Sequence, residues 1–410
     1  MSAFDPSAAR HRFPSLGRMT GVYPTAYLDG PGGTQTPAEV IGAMSRYLEA
    51  GNSNLGGAFD LSREADAVEA AARRAAADLF GADPSEIVFG QNMTSLTFSM
   101  SRALSRDWGS RDDVVVTSLD HDANVSPWRM AAADRGATLR VVDIDPGDAT
   151  LDLSSLERAL SGTPRLLAVT AASNAVGTVT PLEKIVAMAH DAGALVYVDG
   201  VHYSAHRLSD VHALGADFLA ASAYKFFGPH TGLLFGKAEH LERLTAYKVL
   251  PAPSTGPGKW ETGTQSFESL AGVTAAIDYL ASLGDGGDRR TRLVDAFDRI
   301  RAHEEQLSLR FLRGLGELPR VRAYGISSPE RIAERVSTFA VSVDGLTPRE
   351  VATRLGDHGL LVWDGHYYAI AVMEALGVLD LGGLVRIGFV HYTTGSEVDR
   401  VLAALAGLPG

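Results

Sequence analysis

The 410-residue chain contains no cysteine. That absence excludes disulfides, thiolate metal sites and any cysteine nucleophile on this chain. Cationic residues are outnumbered, with 37 Lys and Arg against 49 Asp and Glu, for a net charge of −12. An acidic surplus argues against nucleic acid or an anionic membrane as the main partner. No uninterrupted apolar run approaches the roughly 20 residues that a membrane-spanning helix needs. The start, Met1-Ser2-Ala3-Phe4-Asp5-Pro6, has neither a basic segment nor an apolar core, so no signal peptide is expected. With cysteine absent as well, the cytoplasm is the expected compartment. There is no G-x-S-x-G elbow and no G-x-x-x-x-G-K-[ST] phosphate loop. The glycines of Asp29-Gly30-Pro31-Gly32-Gly33 do not follow a strand in dinucleotide-binding spacing. His202, His206 and His212 are spaced in a way that can suit a metal, but His202 falls close behind Asp199 and reads as part of another site, so no metal is expected.

What remains is an ordinary globular composition, 45% apolar and 21% charged, in a chain long enough for two cores. Helical periodicity is expected near 36–50 and 62–80. Short β-branched runs then alternate with helical patterns. The runs are Val114–Thr117, Leu139–Ile144, Leu166–Thr170, Leu195–Asp199, Phe218–Ala221 and Leu233–Gly236, with helices expected near 123–135, 154–160 and 181–192. Strand–helix alternation implies an α/β fold with a mainly parallel sheet covered on both faces. Gly284-Asp285-Gly286-Gly287-Asp288 is a break. Beyond it a long helix is expected near 290–315, then strands near 320–324, 336–343, 360–363 and 385–390, with helices near 347–358 and 395–406. The expected organisation is an N-terminal segment 1–30 packing with the small domain, a large domain 31–285 and a smaller C-terminal α/β domain 286–410.

Chemistry-bearing residues cluster where an open parallel sheet binds ligands, beyond the carboxyl ends of its strands. Asp199 ends one strand-like run. Lys225, in Ser222-Ala223-Tyr224-Lys225, follows the next, 26 positions later. A lysine near the core is costly unless its amine is neutral or covalently used. Together the pair suits pyridoxal phosphate, which needs a lysine for its aldehyde and a carboxylate for its ring nitrogen. The other loops supply the remaining groups. Asn92 or Thr94 can cap a helix whose free N–H groups receive a phosphate, and Ser222 can add a hydroxyl. His121 can stack on the ring, Asn174 can reach the ring hydroxyl, and Arg386 can grip a substrate carboxylate. Ser173 and Asn124 follow strands on the same rim. Taken singly, each has an ordinary structural explanation. Their order along five loops favours one site.

These motifs resemble the class V aminotransferase family of pyridoxal-phosphate fold type I, in particular its cysteine desulfurase and selenocysteine lyase branch. The likeness covers nearly the whole chain. Arg12-Phe13-Pro14-Ser15-Leu16 and Tyr27-Leu28-Asp29-Gly30 resemble the branch's opening, and Phe89-Gly90-Gln91-Asn92-Met93-Thr94 its phosphate-binding turn. Asp120-His121-Asp122-Ala123-Asn124 is similar to the segment with the ring-stacking histidine, and Ser173-Asn174-Ala175-Val176-Gly177 to the asparagine motif. Val198-Asp199-Gly200-Val201-His202 matches the aspartate motif, with His202 where glutamine is usual. Ser222-Ala223-Tyr224-Lys225 matches the lysine motif, with Tyr224 replacing a phosphate-binding histidine. Glu261-Thr262-Gly263-Thr264-Gln265 resembles the segment whose threonine crosses to a partner subunit's phosphate, which implies a homodimer with Thr264 acting in trans. Val385-Arg386 matches the carboxylate-binding arginine. The resemblance thus implies cofactor contacts from Met93, Thr94, His121, Asn174, Asp199, His202, Ser222, Tyr224, Lys225 and Thr264.

The departure lies in Trp363-Asp364-Gly365-His366-Tyr367-Tyr368-Ala369, where desulfurases carry a persulfide-forming cysteine; the closest register places Tyr368 there. The usual desulfurase route is therefore excluded. Carbon–sulfur β-elimination on a cysteine-like amino acid is the favoured expectation, with Lys225 removing the α-proton and His366, Tyr367 or Tyr368 near the leaving group. Transamination, epimerisation and a non-catalytic cofactor-binding scaffold are the alternatives.

Overall fold

In the computed structural model, residues 4–409 are described. Residues 1–3 and Gly410, the ends of the expected 1–30 and 286–410 segments, lie outside them. Seven strands form the large sheet: β1 Ile87–Gly90, β2 Asp113–Thr117, β3 Thr138–Val142, β4 Pro164–Thr170, β5 Leu195–Asp199, β6 Phe218–Ser222 and β7 Gly232–Gly236. Their spatial order is β1-β7-β6-β5-β4-β2-β3. All neighbours are parallel except β7, which runs antiparallel to both β1 and β6. β3 stops two residues before the expected end, because Ile144 pairs with Leu151 instead.

Side chains alternate across these strands into two cores. Val115, Leu167, Val198, Leu219 and Phe235 face the helices Asp60–Phe80, Leu153–Leu160 and Leu182–Asp191. Val114, Val116, Leu166, Tyr197 and Leu234 face Met93–Leu104 and Ser126–Arg135. Burial on both faces explains why the strands read as continuous apolar runs rather than as alternating ones. Phe267–Ala281 is a helix that periodicity did not predict. Phe267, Leu270, Val273, Ile277 and Leu280 are buried, but so are Gly272, Ala276, Tyr279 and Ala281 on other faces, so no single apolar stripe marks it.

A second, antiparallel sheet has the order β8-β9-β11-β10: β8 Val321–Tyr324, β9 Thr338–Val343, β10 Trp363–Gly365 and β11 Leu384–Gly388. The 28-residue helix Arg289–Gly316 serves both sheets. Its Leu293, Phe297 and Ile300 join the large core, and Leu307, Phe311 and Leu315 join the small one. Ala26 and Leu28 also pack into the small core, and Ala26–Tyr27 pairs in parallel with Leu360–Leu361. Among the described residues no helix is long and apolar enough to cross a membrane.

Candidate active site

β5 and β6 are neighbours in parallel register, with Asp199 opposite Ala220. Asp199 therefore ends one strand beside the 3-10 turn Ala223–Lys225 that follows the next. Its side chain is 4% exposed and accepts a hydrogen bond from Val201 N at 2.9 Å. Burial pushes its pKa up to about 6, against the opposing pull of that hydrogen bond and of Lys225. Lys225 shows the mirror image. Burial, reinforced by the Arg386 cation, brings its amine down to about 7, while Asp29 and Asp199 oppose the shift. Its Nζ donates to the carbonyl of Pro31. A neutral amine is thus accessible near neutral pH, the state a nucleophile or base requires.

His121 follows β2. Its Nδ1 accepts from Ala123 N at 3.0 Å, and burial with the nearby Lys225 charge lowers its pKa to about 4. The ring is held neutral and stacks on Tyr368 at 5.4 Å between centroids. Behind it lies an acid that sequence reasoning missed. Asp120 accepts from Asn124 Nδ2 at 2.7 Å and from Thr117, and Asn124 in turn accepts from Trp128 Nε1 at 3.2 Å. Burial raises Asp120 to about 8. Asn124 therefore braces this loop, and Ser173 likewise caps its own turn through Ala175 N and Val176 N.

The phosphate-type corner forms where β1, β6 and β7 meet the helix Met93–Leu104. Asn92 is the cap, through Ser95 N at 2.9 Å, which leaves Thr94 exposed and uncommitted. Ser222 Oγ accepts from Met93 N at 2.9 Å. Gly232 is opposite Ser222, and a Cβ there would meet the Asn92 backbone at 2.5 Å, so only glycine lets the strand lie this close to the helix start. Tyr224 stacks on His230 at 4.8 Å and 12°.

The small sheet supplies the opposite wall. Arg386, on β11, is 3% exposed. Its Nη2 pairs with Asp29 Oδ1 at 2.8 Å and Nη1 donates to Asn174 O at 3.1 Å; Nε is buried with no partner among the described residues. Asn174 Nδ2 donates to Tyr367 O at 3.0 Å, and its Oδ1 is likewise buried and unpartnered. Beyond β10, Tyr367 and Tyr368 adopt φ of 53° and 59°. Tyr367 is buried under the Arg386 guanidinium, 4.6 Å from the ring centroid, and its hydroxyl donates to Leu384 O. Tyr368 is 65% exposed at the mouth, and its carbonyl accepts from Asp122 N at 2.8 Å. His366 is exposed, with Nδ1 accepting from Tyr368 N.

Two predicted residues lie apart from this wall. Thr264 is exposed and makes no hydrogen bond among the described residues, although Glu261 ties its loop to Phe89 N at 2.8 Å and to Arg73 at 2.7 Å. His202 lies behind Asp199, with Nε2 2.9 Å from Thr338 Oγ1. His212 pairs with Glu86 instead, and among the described residues no group of three or more His, Cys, Asp or Glu is arranged to hold a metal.

The family model for "Aminotransferase class-V" matches residues 26–401. The chain belongs to the class-V aminotransferase family. It is a pyridoxal-phosphate-dependent enzyme of fold type I, cysteine desulfurase-like in sequence and structure. An uncharacterized protein of Mycobacterium tuberculosis, MT3887, is 33% identical, over 99% of this chain and 100% of its own. A probable cysteine desulfurase of Synechocystis is 31% identical, over 97% of this chain and 94% of its own. The apo cysteine desulfurase of Thermococcus onnurineus superposes with a TM-score of 0.88 at 28% identity, covering 99% of this chain and 98% of that one. The site fits the family's cofactor on its own geometry. It offers a buried acid, a lysine with a depressed pKa, backbone donors at a helix start, and two buried polar atoms, Asn174 Oδ1 and Arg386 Nε, that lack a partner among the described residues.

Proposed function

We propose that this class-V enzyme is a carbon–sulfur β-lyase acting on a cysteine-like amino acid. The observation that supports it is a buried lysine with a depressed pKa, Lys225, together with the buried Asp199 and Arg386, in a cysteine-free chain whose relatives include cysteine desulfurases. Pyridoxal phosphate, when bound, supplies an electrophilic carbonyl and an electron-withdrawing ring. Asp199 would hold a proton on the ring nitrogen. Ser222, Thr94 and the amides at the helix start would receive the phosphate, with Met93 N exchanging its bond to Ser222 Oγ for it. His121 would cover the ring face, Asn174 would bond the ring hydroxyl and His202 would stand on the Asp199 side. Tyr224 borders the phosphate corner.

Arg386 takes the substrate carboxylate through its free Nε and through Nη2, which exchanges Asp29 for the substrate. Lys225 then receives the Cα proton. The Cβ–S bond breaks with its electron pair on sulfur, and His366 protonates the departing group. With Nδ1 accepting from Tyr368 N, the His366 proton resides on Nε2, which is free to donate. Tyr368 borders the leaving-group pocket. Thr264 serves the phosphate of a second copy of the chain in a homodimer, consistent with its exposed position on an anchored loop.

The test is product analysis of cofactor-loaded protein with cysteine, cystine and their S-substituted analogues. Equimolar 2-oxo acid and ammonium, with sulfide from cysteine, thiol from S-alkyl analogues and persulfide from cystine, over many turnovers is the expected result. A single turnover that an added 2-oxo acid restarts would overturn the lyase reading in favour of transamination. Inverted amino acid without ammonium would overturn it in favour of epimerisation.

A further inference from the structure

Three residues past Asp199, His202 is 4% exposed, and the cations of Lys225 and Arg386 act on it from the site. On its far side stands a second histidine. The His206 ring lies edge-on, 4.8 Å away at 74°. His206 is 1% exposed, and its Nδ1 is 2.7 Å from Glu304 Oε2, on the long helix. The carboxylate fixes the His206 proton on Nδ1 and leaves Nε2 as an acceptor. Among the described residues that Nε2 is buried without a partner, as is Glu304 Oε1.

His206, Glu304, Ser308 and Ser337 line a cavity of about 10 Å³, the volume of about one water molecule. Arg335 forms another of its walls, and Arg207, Arg301 and Glu305 stand at its solvent side, none of them fully buried. A buried histidine–carboxylate pair is a poor source of stability, because packed apolar side chains often do as well. Two unpartnered atoms on a polar cavity are costly unless they exchange protons or water.

We infer that His202, His206 and Glu304 form a proton wire between the cofactor side of the site and solvent at the Arg207–Glu305 rim. This rests on the reading that His202 faces the cofactor. His202 takes up a proton from the site on one ring nitrogen and passes the proton on the other to His206 Nε2, after a ring rotation that breaks its Nε2–Thr338 Oγ1 contact. His206 releases its Nδ1 proton to Glu304, and Glu304 releases it to water in the cavity. One proton enters and one leaves, and nothing is oxidised or reduced. The wire disposes of the proton that an amino-acid substrate, an ammonium ion at neutral pH, must shed before its nitrogen can react. His206 and Glu304 act through His202 and are positioning residues.

The experiment is a stopped-flow jump of cofactor-loaded protein from pH 6 to pH 9, following the visible band of the bound cofactor. It is run on the parent, Glu304→Gln, His206→Gln and His202→Gln. Glutamine at 304 keeps an acceptor for His206 Nδ1 but cannot take up a proton, so it separates contact from transfer. Relaxation slowed at least tenfold in all three variants, with cofactor content and melting temperature retained, is expected. Rates within twofold of the parent, a parent band indifferent to the jump, or slowing that only tracks lost cofactor would overturn the wire. A parent that forms no visible band, or a Lys225→Ala protein that keeps the parent's band, would instead sink the site reading itself.

Discussion

Asp199 ends one strand and Lys225 lies in the turn that follows its parallel neighbour, whereas Tyr367 and Tyr368 stand on a left-handed turn beyond the small sheet. The first pair is placed by a backbone ladder buried on both faces. Its energetic cost is electrostatic: an acid pushed up to about 6 and an amine brought down to about 7. The second pair is placed by side-chain contacts, and its cost is conformational, about 1–2 kcal/mol for each non-glycine residue held left-handed. The strand rim thus holds the groups proposed for catalysis. The loop, in a chain without cysteine, presents two tyrosines instead.

Breaking the rim is expected to have the larger consequences. Asp199→Asn should lower turnover about 10²–10³-fold by removing a charge aligned with the reacting system. The same change should stabilise the cofactor-free protein. An acid whose pKa is raised on folding binds its proton more tightly in the native state, so its contribution is favourable below the unfolded value and is lost as pH rises through about 6. Denaturant titrations should therefore show Asp199→Asn gaining about 3 kcal/mol on the parent at pH 8 and almost nothing at pH 4. Equal gains at both pH values would mean that burial is not what raises this acid.

Arg386→Lys lies at the boundary between the two regions. It removes the planar fork that holds Asp29 and Asn174, and should weaken substrate binding about 10- to 100-fold while leaving turnover at saturation closer to the parent. Loss confined to turnover would place Arg386 outside carboxylate binding.

The smallest effect belongs to the loop. Tyr368→Asn should stabilise the protein by about 0.5–1 kcal/mol, because asparagine tolerates positive φ and the ring is mostly exposed. A loss of stability in equilibrium unfolding would show that stacking on His121 outweighs the strain.

The contrast also explains what could be read from sequence. Asp199, Ser222 and Lys225 were legible because they end or follow unbroken apolar, strand-like runs, and Asn92 because a cap precedes a helical pattern. Strand–helix alternation yielded the covered sheet but not the reversal of β7, since direction leaves no trace in composition. The pairing of Arg386 with Asp29 joins residues 357 apart. The His206–Glu304 pair and the Tyr224–His230 stack depend likewise on how elements meet rather than on any local pattern. Left-handed tyrosines were illegible for another reason: propensity argues against them, and only the surrounding contacts impose the conformation.

The central claim, that Lys225 moves the Cα proton, is tested most directly by incubating cofactor-loaded protein with single amino acids in D2O and following the Cα–H resonance by NMR. Exchange or loss of that proton is expected with the parent, and a rate at least 10²-fold lower with Lys225→Ala reconstituted with the same cofactor. Exchange at the parent's rate in Lys225→Ala would contradict it.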